Sequence, residues 1–342
     1  MKRLFISMLI ILTMLSFEAK SQSEETNDFY DNAETYSLFG PEEILIEGEI
    51  ANAGIVDMTK FEKRSVIVKE TVLDGDKNKF VGAYRFDGYS IYDLLNDRIL
   101  KKKNEEHFKP IIDLFVIIEN EKGESCVLSW GEIYYPIHRH EIIIATNVAR
   151  IVPSKTNELW PLPTETRLIV ASDLITERNI SMPVKITVVS AENIFEVRKG
   201  LKPMYSPDIS IFKNNKEILS LKKLPKNIQN EDYEAIFYGR GRGIHSTTPF
   251  KGGRLKDILK PEFEFNIENI KHGIFVIVAE DGYRGVFTYS ELMNRNDQSE
   301  ILLIEDIENK DGGAFRLFPS CDFFSDRAIK SAKEIHYSVI KK

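Results

Sequence analysis

Residues 86–95 read FDGYSIYDLL, and residues 250–259 read FKGGRLKDIL. The two segments share Phe, Gly, Asp and three aliphatic residues at the same positions, so each predicts a turn at glycine followed by a short amphipathic helix. Residues 114–118 and 274–278, which come next, are apolar runs typical of buried strands. The same elements in the same order predict two tandem copies of one domain.

Two further blocks recur in both copies. Residues 123–133 match residues 282–292, where Asp281-Gly282 is a strong hairpin signal, and each block places an acid, Glu132 or Glu291, where a helical turn would start. The closing blocks also correspond, residue for residue: Leu168, Asp173, Arg178 and Ile180 match Leu317, Asp322, Arg327 and Ile329. We interpret the recurring Asp and Arg as an ion pair that fixes the turn into the last strand.

These matches divide the chain into five segments. We predict a signal peptide (1–21), a mobile acidic lead-in (22–41), a first repeat (42–190), a linker (191–204) and a second repeat (205–342). Strand patterns outnumber helical ones in both repeats but helices are present. The predicted fold class is therefore α+β, with mixed β-sheets and few short helices in each domain.

The start of the chain and its charge limit the function. Lys2 and Arg3 precede an apolar run over residues 4–17 and small residues near Ser21, the pattern of a cleaved signal peptide. This predicts a periplasmic or secreted protein without a transmembrane anchor. A net charge of −7 over 342 residues argues against nucleic acid as a partner, since phosphates would be repelled.

Metal and disulfide chemistry have little support in the sequence. The only two cysteines, Cys126 and Cys321, are too few for a disulfide framework, and buried free thiols are the favoured interpretation over a bridge between them. His138 and His140 form an H-x-H pair that could hold zinc or copper. No third ligand is visible near them, which favours a solvated loop.

A basic, glycine-rich segment is confined to the second repeat. No acidic residue occurs between Ala235 and Lys256, and glycine N–H groups combined with arginine forks form a good anion site. The candidate cofactor-binding or ligand-binding residues are Gly239, Arg240, Gly241, Arg242, Gly243, His245, Lys251 and Arg254, with Arg284 as a possible neighbour. The alternative is a solvated loop whose arginines pair with nearby acids.

The repeated blocks resemble the molybdopterin-binding domain of the sulfite oxidase family. The likeness lies in the G-x-x-[IL]-x-D-[LI]-L segment, in the hairpin from Asp281 through Leu292, and in the closing D-x(4)-R-x-[IV] segment. It implies sulfite-oxidase-type domains with mixed sheets and a β-grasp-like core. It also implies molybdopterin as the cofactor, with molybdenum held by a cysteine on the strand before the first segment.

That cysteine is missing from both repeats, because the matching residues 66–70 and 236–239 contain none. The first hypothesis is therefore an exported protein that has lost the metal ligand and binds an anionic small molecule or an envelope protein through its second repeat. One alternative is a molybdopterin-dependent oxidoreductase that holds its cofactor in another way. A further alternative is a structural envelope interaction protein.

Overall fold

The computed structural model describes residues 30, 34–192, 195–241, 243–308 and 312–341. The predicted signal peptide lies outside the described residues, as do most of residues 22–33 and Arg242. The end of the predicted lead-in is part of a sheet, since Tyr36–Ser37 pairs with residues 147–148.

Strands dominate both halves of the chain. The first half contains β1 (Tyr36–Ser37), β2 (Glu43–Gly48), β3 (Gly54–Asp57), β4 (Lys63–Asp74), β5 (Lys77–Ser90), β6 (Leu114–Asn120), β7 (Ser125–Ser129), β8 (Ile142–Arg150), β9 (Arg167–Val170) and β10 (Pro183–Ser190). The second half contains β11 (Ile209–Lys213), β12 (Lys216–Leu221), β13 (Asn230–Tyr233), β14 (Phe237–Gly239), β15 (Gly243–Ser246), β16 (Phe250–Arg254), β17 (Gly273–Ala279), β18 (Arg284–Thr288), β19 (Ile301–Glu305), β20 (Phe315–Pro319) and β21 (Ala332–Val339).

Helices are short and sit at strand ends. They are α1 (Ile91–Asn96), α2 (Trp130–Tyr134), α3 (Leu255–Leu259), α4 (Ile267–His272) and α5 (Tyr289–Met293), with 3₁₀ turns at Met58–Lys60, Ile111–Asp113 and Ser325–Arg327. Ser129 and Thr288 cap α2 and α5 in capping boxes with Glu132 and Glu291. This confirms the prediction that both acids mark helix starts.

The strands form four main sheets. Sheet S1 has the order β3-β2-β10-β6-β7 and sheet S3 the order β12-β11-β21-β17-β18. In sheet S2, β1-β8-β5-β4 run side by side and β9 also pairs with β8, whereas sheet S4 has the order β13-β16-β19-β20. A separate two-stranded sheet joins β14 to β15.

The two halves share one topology. S1 and S3 correspond strand for strand, and each contains one parallel pair, β2 with β10 and β11 with β21, among antiparallel neighbours. S2 and S4 correspond through β4-β5-β8-β9 and β13-β16-β19-β20. Each half therefore builds an inner and an outer sheet with an apolar core between them.

A third apolar layer joins the halves. Phe115 and Val127 of S1 pack in one buried cluster with Ile274, Val276 and Val286 of S3. β6, β7, β17 and β18, the strands next to this layer, are therefore buried on both faces, which explains the continuous apolar runs of β6 and β17 in the sequence.

A buried arginine in the first half also reaches the second. Arg178 donates to the two oxygens of Asp173 at 2.7 and 2.8 Å and to the two oxygens of Glu132 at 2.9 Å. Its Nη1 lies 3.3 Å from the Thr288 hydroxyl of the other half. The guanidinium is thus held by two carboxylates away from water.

Arg327 repeats this arrangement in the second half. It donates to Asp322 at 2.7 and 2.8 Å and to Glu291 at 2.6 Å, and its Nη1 lies 3.4 Å from the Ser129 hydroxyl. Burial opposes the charge, yet the two carboxylates hold the pKa of Arg327 well above its usual value. The prediction of an Asp–Arg ion pair in each closing block is confirmed.

The predicted fold class is wrong. The protein is mostly β, with 46% strand and 12% helix, and its small sheets are arranged like a four-bladed β-propeller instead of two α+β domains of the sulfite oxidase type. The physical reason is the length of the helices. The G-x-x-[IL]-x-D-[LI]-L segments yield only α1 and α3, of six and five residues, which are too short to cover a sheet.

The glycine of that segment does not make a turn either. Gly88 and Gly252 lie inside β5 and β16, next to a neighbouring strand. A Cβ on Gly88 would lie 2.1 Å from the Ile144 carbonyl oxygen, and one on Gly252 would lie 2.7 Å from that of Leu303. Glycine recurs there because two strands approach closely.

Candidate functional site

The basic, glycine-rich segment folds as a small hairpin. β14 pairs antiparallel with β15, Gly239 facing Gly243, and Gly243 has a φ of +76°, which favours glycine at this turn. Gly241 is exposed with open space around it, whereas a Cβ on Gly239 would lie 2.3 Å from the His245 imidazole. The hairpin therefore presents its turn to solvent and packs its base closely.

The arginines of this segment already have acidic neighbours. Arg254 donates from Nε to Glu231 at 2.7 Å, and its Nη2 bonds the same carboxylate oxygen. Arg240 is about half exposed, with its Nη2 3.7 Å from Asp326. For these two residues the structure agrees with the alternative in which the arginines pair with acids, and Arg242 lies outside the described residues.

Arg284 lies apart from the hairpin. The Tyr283 hydroxyl donates a hydrogen bond to the Asp326 carbonyl near the base of the hairpin. The side chain of the next residue, Arg284, instead extends into the interface between the halves. There Arg284 is 1% exposed, donates to Asp113 at 3.3 Å and lies 4.1 Å over the Phe108 ring. Arg284 therefore links S3 to the first half, and the predicted site residues are not all brought together.

His245 and Lys251 line a cleft together with two cations that sequence reasoning missed. This cationic cleft has a volume of about 540 Å³ and is lined by Phe237, His245, Ser246, Thr248, Pro249, Phe250, Lys251, Ile304, Glu305, Asp306, Arg316 and Lys330. Arg316 lies on β20 and Lys330 just before β21, far from the hairpin in sequence. The sequence contains one signal for this site, since Arg316 is the only charged residue in the otherwise apolar strand segment FRLFP.

Three cations of this cleft form no ion pair with a described residue. Within the described ranges, no carboxylate lies within ion-pair distance of Lys251, Arg316 or Lys330. Of the two acids in the cleft, Glu305 already accepts a hydrogen bond from the Leu224 amide. Three cations against two carboxylates leave an excess of positive charge in the cleft.

A second cleft lies on the other side of the hairpin. This apolar cleft has a volume of about 460 Å³ and is lined by Ile137, Glu234, Ala235, Ile236, Phe237, Tyr238, Phe318, Pro319, Ser320, Asp322, Phe323, Phe324, Ser325 and Ala328. Three of its large apolar side chains are strongly exposed, with Ile137 at 57%, Ile236 at 68% and Phe323 at 49%. Exposed apolar residues grouped around a concavity mark binding sites.

Aromatic rings separate the two clefts. Phe237 lines both, with its ring centroid 5.2 Å from that of Phe250 and 6.4 Å from that of Phe318. Phe250, of the cationic cleft, and Phe318, of the apolar cleft, stack with centroids 4.1 Å apart and an interplanar angle of 6°. The two clefts thus share an apolar wall.

The corresponding place in the first half has a smaller cleft of about 310 Å³ with a mostly polar and charged lining, which includes Thr176 and Glu177. There β4 and β5 continue as one long hairpin, and its tip bonds the closing block: the Thr71 amide donates to the Thr176 hydroxyl at 3.1 Å and the Leu73 amide to Glu177 at 2.7 Å. The matching residues of the second half are Ser325 and Asp326. Ser325 lines the apolar cleft, because the second hairpin bends away as a separate sheet.

The predicted H-x-H pair, His138 and His140, lies in a loop of the first half. His140 lies 3.1 Å from the Ser90 hydroxyl and 3.6 Å from Asp93, and burial lowers its pKa. Among the described residues, no group of three His, Cys, Asp or Glu side chains is placed to hold a metal ion.

Both cysteine side chains lie in the protein interior. Cys126 and Cys321 are buried and free, which confirms the prediction that they are not bridged. Burial raises the pKa of each thiol to about 12. Neither side chain lines the two clefts.

No family model matches the chain, and no curated protein matches it. The resemblance to the sulfite oxidase family therefore stays a prediction from the sequence. In the part of the chain that the structure describes, none of the helices has the length and apolar character needed to cross a bilayer.

Proposed function

We propose that this is an exported ligand-binding protein whose second half holds an anionic group in the cationic cleft. The observation that carries the proposal is the set of three cations, Lys251, Arg316 and Lys330, around one cleft with no described carboxylate paired to any of them. Lysine and arginine donors bind phosphate and carboxylate groups through charge-assisted hydrogen bonds.

The charge balance of the cleft supports this proposal. Three cations, Lys251, Arg316 and Lys330, face two carboxylates. The whole chain carries a net charge of −7, so a locally positive cleft differs from the rest of the surface. Export rests on the signal-peptide pattern of residues 1–21.

The arrangement favours binding over catalysis. The cleft contains Ser246 and Thr248, but the Ser246 hydroxyl accepts from the Thr248 amide at 3.0 Å. A general base is usually oriented by a hydrogen-bonded carboxylate. Within the described residues, no carboxylate is hydrogen-bonded to His245 in this way. A nucleophile, a base and an orienting group are therefore not assembled in this cleft.

The experiment is isothermal titration calorimetry with inorganic phosphate. The double variant Lys251→Ala/Lys330→Ala should weaken binding at least about tenfold, because two charge-assisted contacts are lost. Raising the ionic strength should also weaken binding, since an exposed site is screened. The charge-matched control Lys77→Ala/Lys79→Ala, which removes two exposed lysines of β5, should leave affinity unchanged.

Two results would contradict the proposal. One is the absence of phosphate binding to the unmodified protein at low salt. The other is equal affinity in the cleft variant and the β5 control. Thermal melting of both variants checks that folding is intact, which exposed lysine substitutions should preserve.

A further inference from the structure

We infer that the apolar cleft is a second, separate binding site, and that it takes a small organic cation of the quaternary ammonium type. The inference does not rest on the proposed function, because the rings of Phe237, Phe250 and Phe318 separate this cleft from the cationic one. It commits to one class of occupant, a compound that carries a positive charge on an apolar body.

The charged residues that line the apolar cleft are acidic. They are Glu234 and Asp322, and among the described residues no lysine, arginine or histidine contributes to the lining. Asp322 is paired with Arg327 at 2.7 Å, whereas Glu234 is exposed and forms no ion pair with a described residue. The charge of Glu234 therefore favours a cation in this cleft and opposes an anion.

Two arginines close to the cleft are engaged by other acids. Arg327 is fully buried and donates to Asp322 and Glu291. Arg240 lies 3.7 Å from Asp326, and neither of these two residues lines the cleft. The charges of both arginines are thus balanced by carboxylates other than that of Glu234.

Aromatic rings supply the second attraction for a cation. Phe237, Tyr238, Phe318, Phe323 and Phe324 all line the cleft. Tyr238, Phe323 and Phe324 form one group, with centroids 4.9–6.2 Å apart and interplanar angles of 45–85°. Tyr238 is 37% and Phe323 49% exposed, so part of each ring is accessible to a ligand. Because the face of an aromatic ring carries negative electrostatic potential, aromatic rings grouped in this way bind quaternary ammonium ions.

The size and the apolar character of the cleft favour a quaternary ammonium over a primary amine. The volume of about 460 Å³ falls within the range of about 300–1,000 Å³ that small-molecule sites occupy. Ile137, Ile236 and Ala328 complete the apolar part of the lining. A quaternary ammonium carries no N–H group, so it needs no hydrogen-bond acceptor when apolar side chains surround it.

The test compares two probes of the same shape on the full chain. They are phenyltrimethylammonium and its uncharged isostere, tert-butylbenzene. We expect the ammonium compound to bind at least about fivefold more tightly at low salt, because only the ammonium compound is attracted by the ring faces and by Glu234. Ligand-detected NMR titration measures both affinities.

Variants of the lining test where the cation binds. Phe323→Leu and Glu234→Gln should each weaken binding of the ammonium compound at least about threefold and change that of tert-butylbenzene little, because leucine lacks the ring face and glutamine lacks the charge. The matched controls are Phe80→Leu, at a phenylalanine 47% exposed compared with 49% for Phe323, and Glu217→Gln, at an exposed glutamate of β12. Both controls should leave the two affinities unchanged, and thermal melting checks that all four variants are folded.

Three results would overturn the inference. They are equal affinity for the two probes, no binding of the ammonium compound, and a preference for the ammonium compound that survives Phe323→Leu and Glu234→Gln. The third result would place the cation elsewhere on the protein. Lys251→Ala/Lys330→Ala should leave ammonium binding unchanged, since these lysines line the other cleft, so failure of this inference and failure of the phosphate site are measured separately.

Discussion

Removing the Arg327 guanidinium should strongly destabilise the protein. In Arg327→Met the carboxylates of Asp322 and Glu291 remain buried and lose the hydrogen bonds of 2.6–2.8 Å that the arginine donates. Breaking a buried ion pair on one side costs about 3–5 kcal/mol, because the partner charge is left uncompensated. We therefore expect the free energy of unfolding to fall by about that amount.

Urea denaturation at neutral pH measures this loss. The matched control is Arg198→Met, whose arginine pairs with Glu280 at 2.7 Å but is 41% exposed. A surface pair contributes at most about 1 kcal/mol, so the control should change little. Adding Asp322→Asn and Glu291→Gln to Arg327→Met should restore part of the loss, since neutral amides do not need a counter-charge.

The loss should also depend on pH. Burial raises the pKa of Asp322, and in the native protein Arg327 opposes this shift. Without the arginine, the folded-state pKa lies further above the unfolded value. Such a carboxyl favours the native state at low pH and loses that contribution as pH rises, so the variant should be less destabilised at pH 5 than at pH 8. Equal unfolding free energies for Arg327→Met and Arg198→Met, with no pH dependence, would refute the reasoning.

Three other predictions concern the fold. Gly88→Ala should cost about 1–3 kcal/mol, because a Cβ there would meet the Ile144 carbonyl oxygen at 2.1 Å, whereas Gly241→Ala, in open space, should be nearly neutral; equal melting temperatures would contradict this. Glu334→Gln should destabilise more at pH 7 than at pH 3, since the hydrogen bond from His336 lowers the pKa of Glu334 and its contribution is lost as pH falls; a pH-independent shift in thermal melting would be the contrary result. Cys126 and Cys321 should react slowly with a thiol reagent until denaturant is added, because burial raises the pKa of both thiols to about 12; prompt modification of the native protein would show otherwise.

Local elements were readable from the sequence because local rules govern them. The apolar runs at 114–118 and 274–278 lie within β6 and β17, and the Asp281-Gly282 signal lies in the turn between β17 and β18, where Gly282 has a φ of +81°. The helix starts at Glu132 and Glu291 and the Asp–Arg pairs were also predictable, since each depends on residues a few positions apart.

The fold class and most of the site depend on long-range packing. Whether the D-[LI]-L segments form a helical layer depends on how far each helix continues, and α1 and α3 end after one or two turns. Arg316 and Lys330 reach the cationic cleft only because β20 and the start of β21 lie beside the hairpin. The sequence predicts Arg284 as a neighbour of the anion site because it follows the Asp281-Gly282 turn, but docking of the halves buries it against Asp113.

The central claim is that the second half holds an anion between Lys251, Arg316 and Lys330. Crystals of the full chain soaked in selenate, an anomalous scatterer with the shape of sulfate, test it most directly. The account predicts an anomalous peak within hydrogen-bonding distance of at least two of these three side chains, which disappears in Lys251→Ala/Lys330→Ala. A cleft without a peak, while other surface arginines or lysines bind selenate, would contradict it.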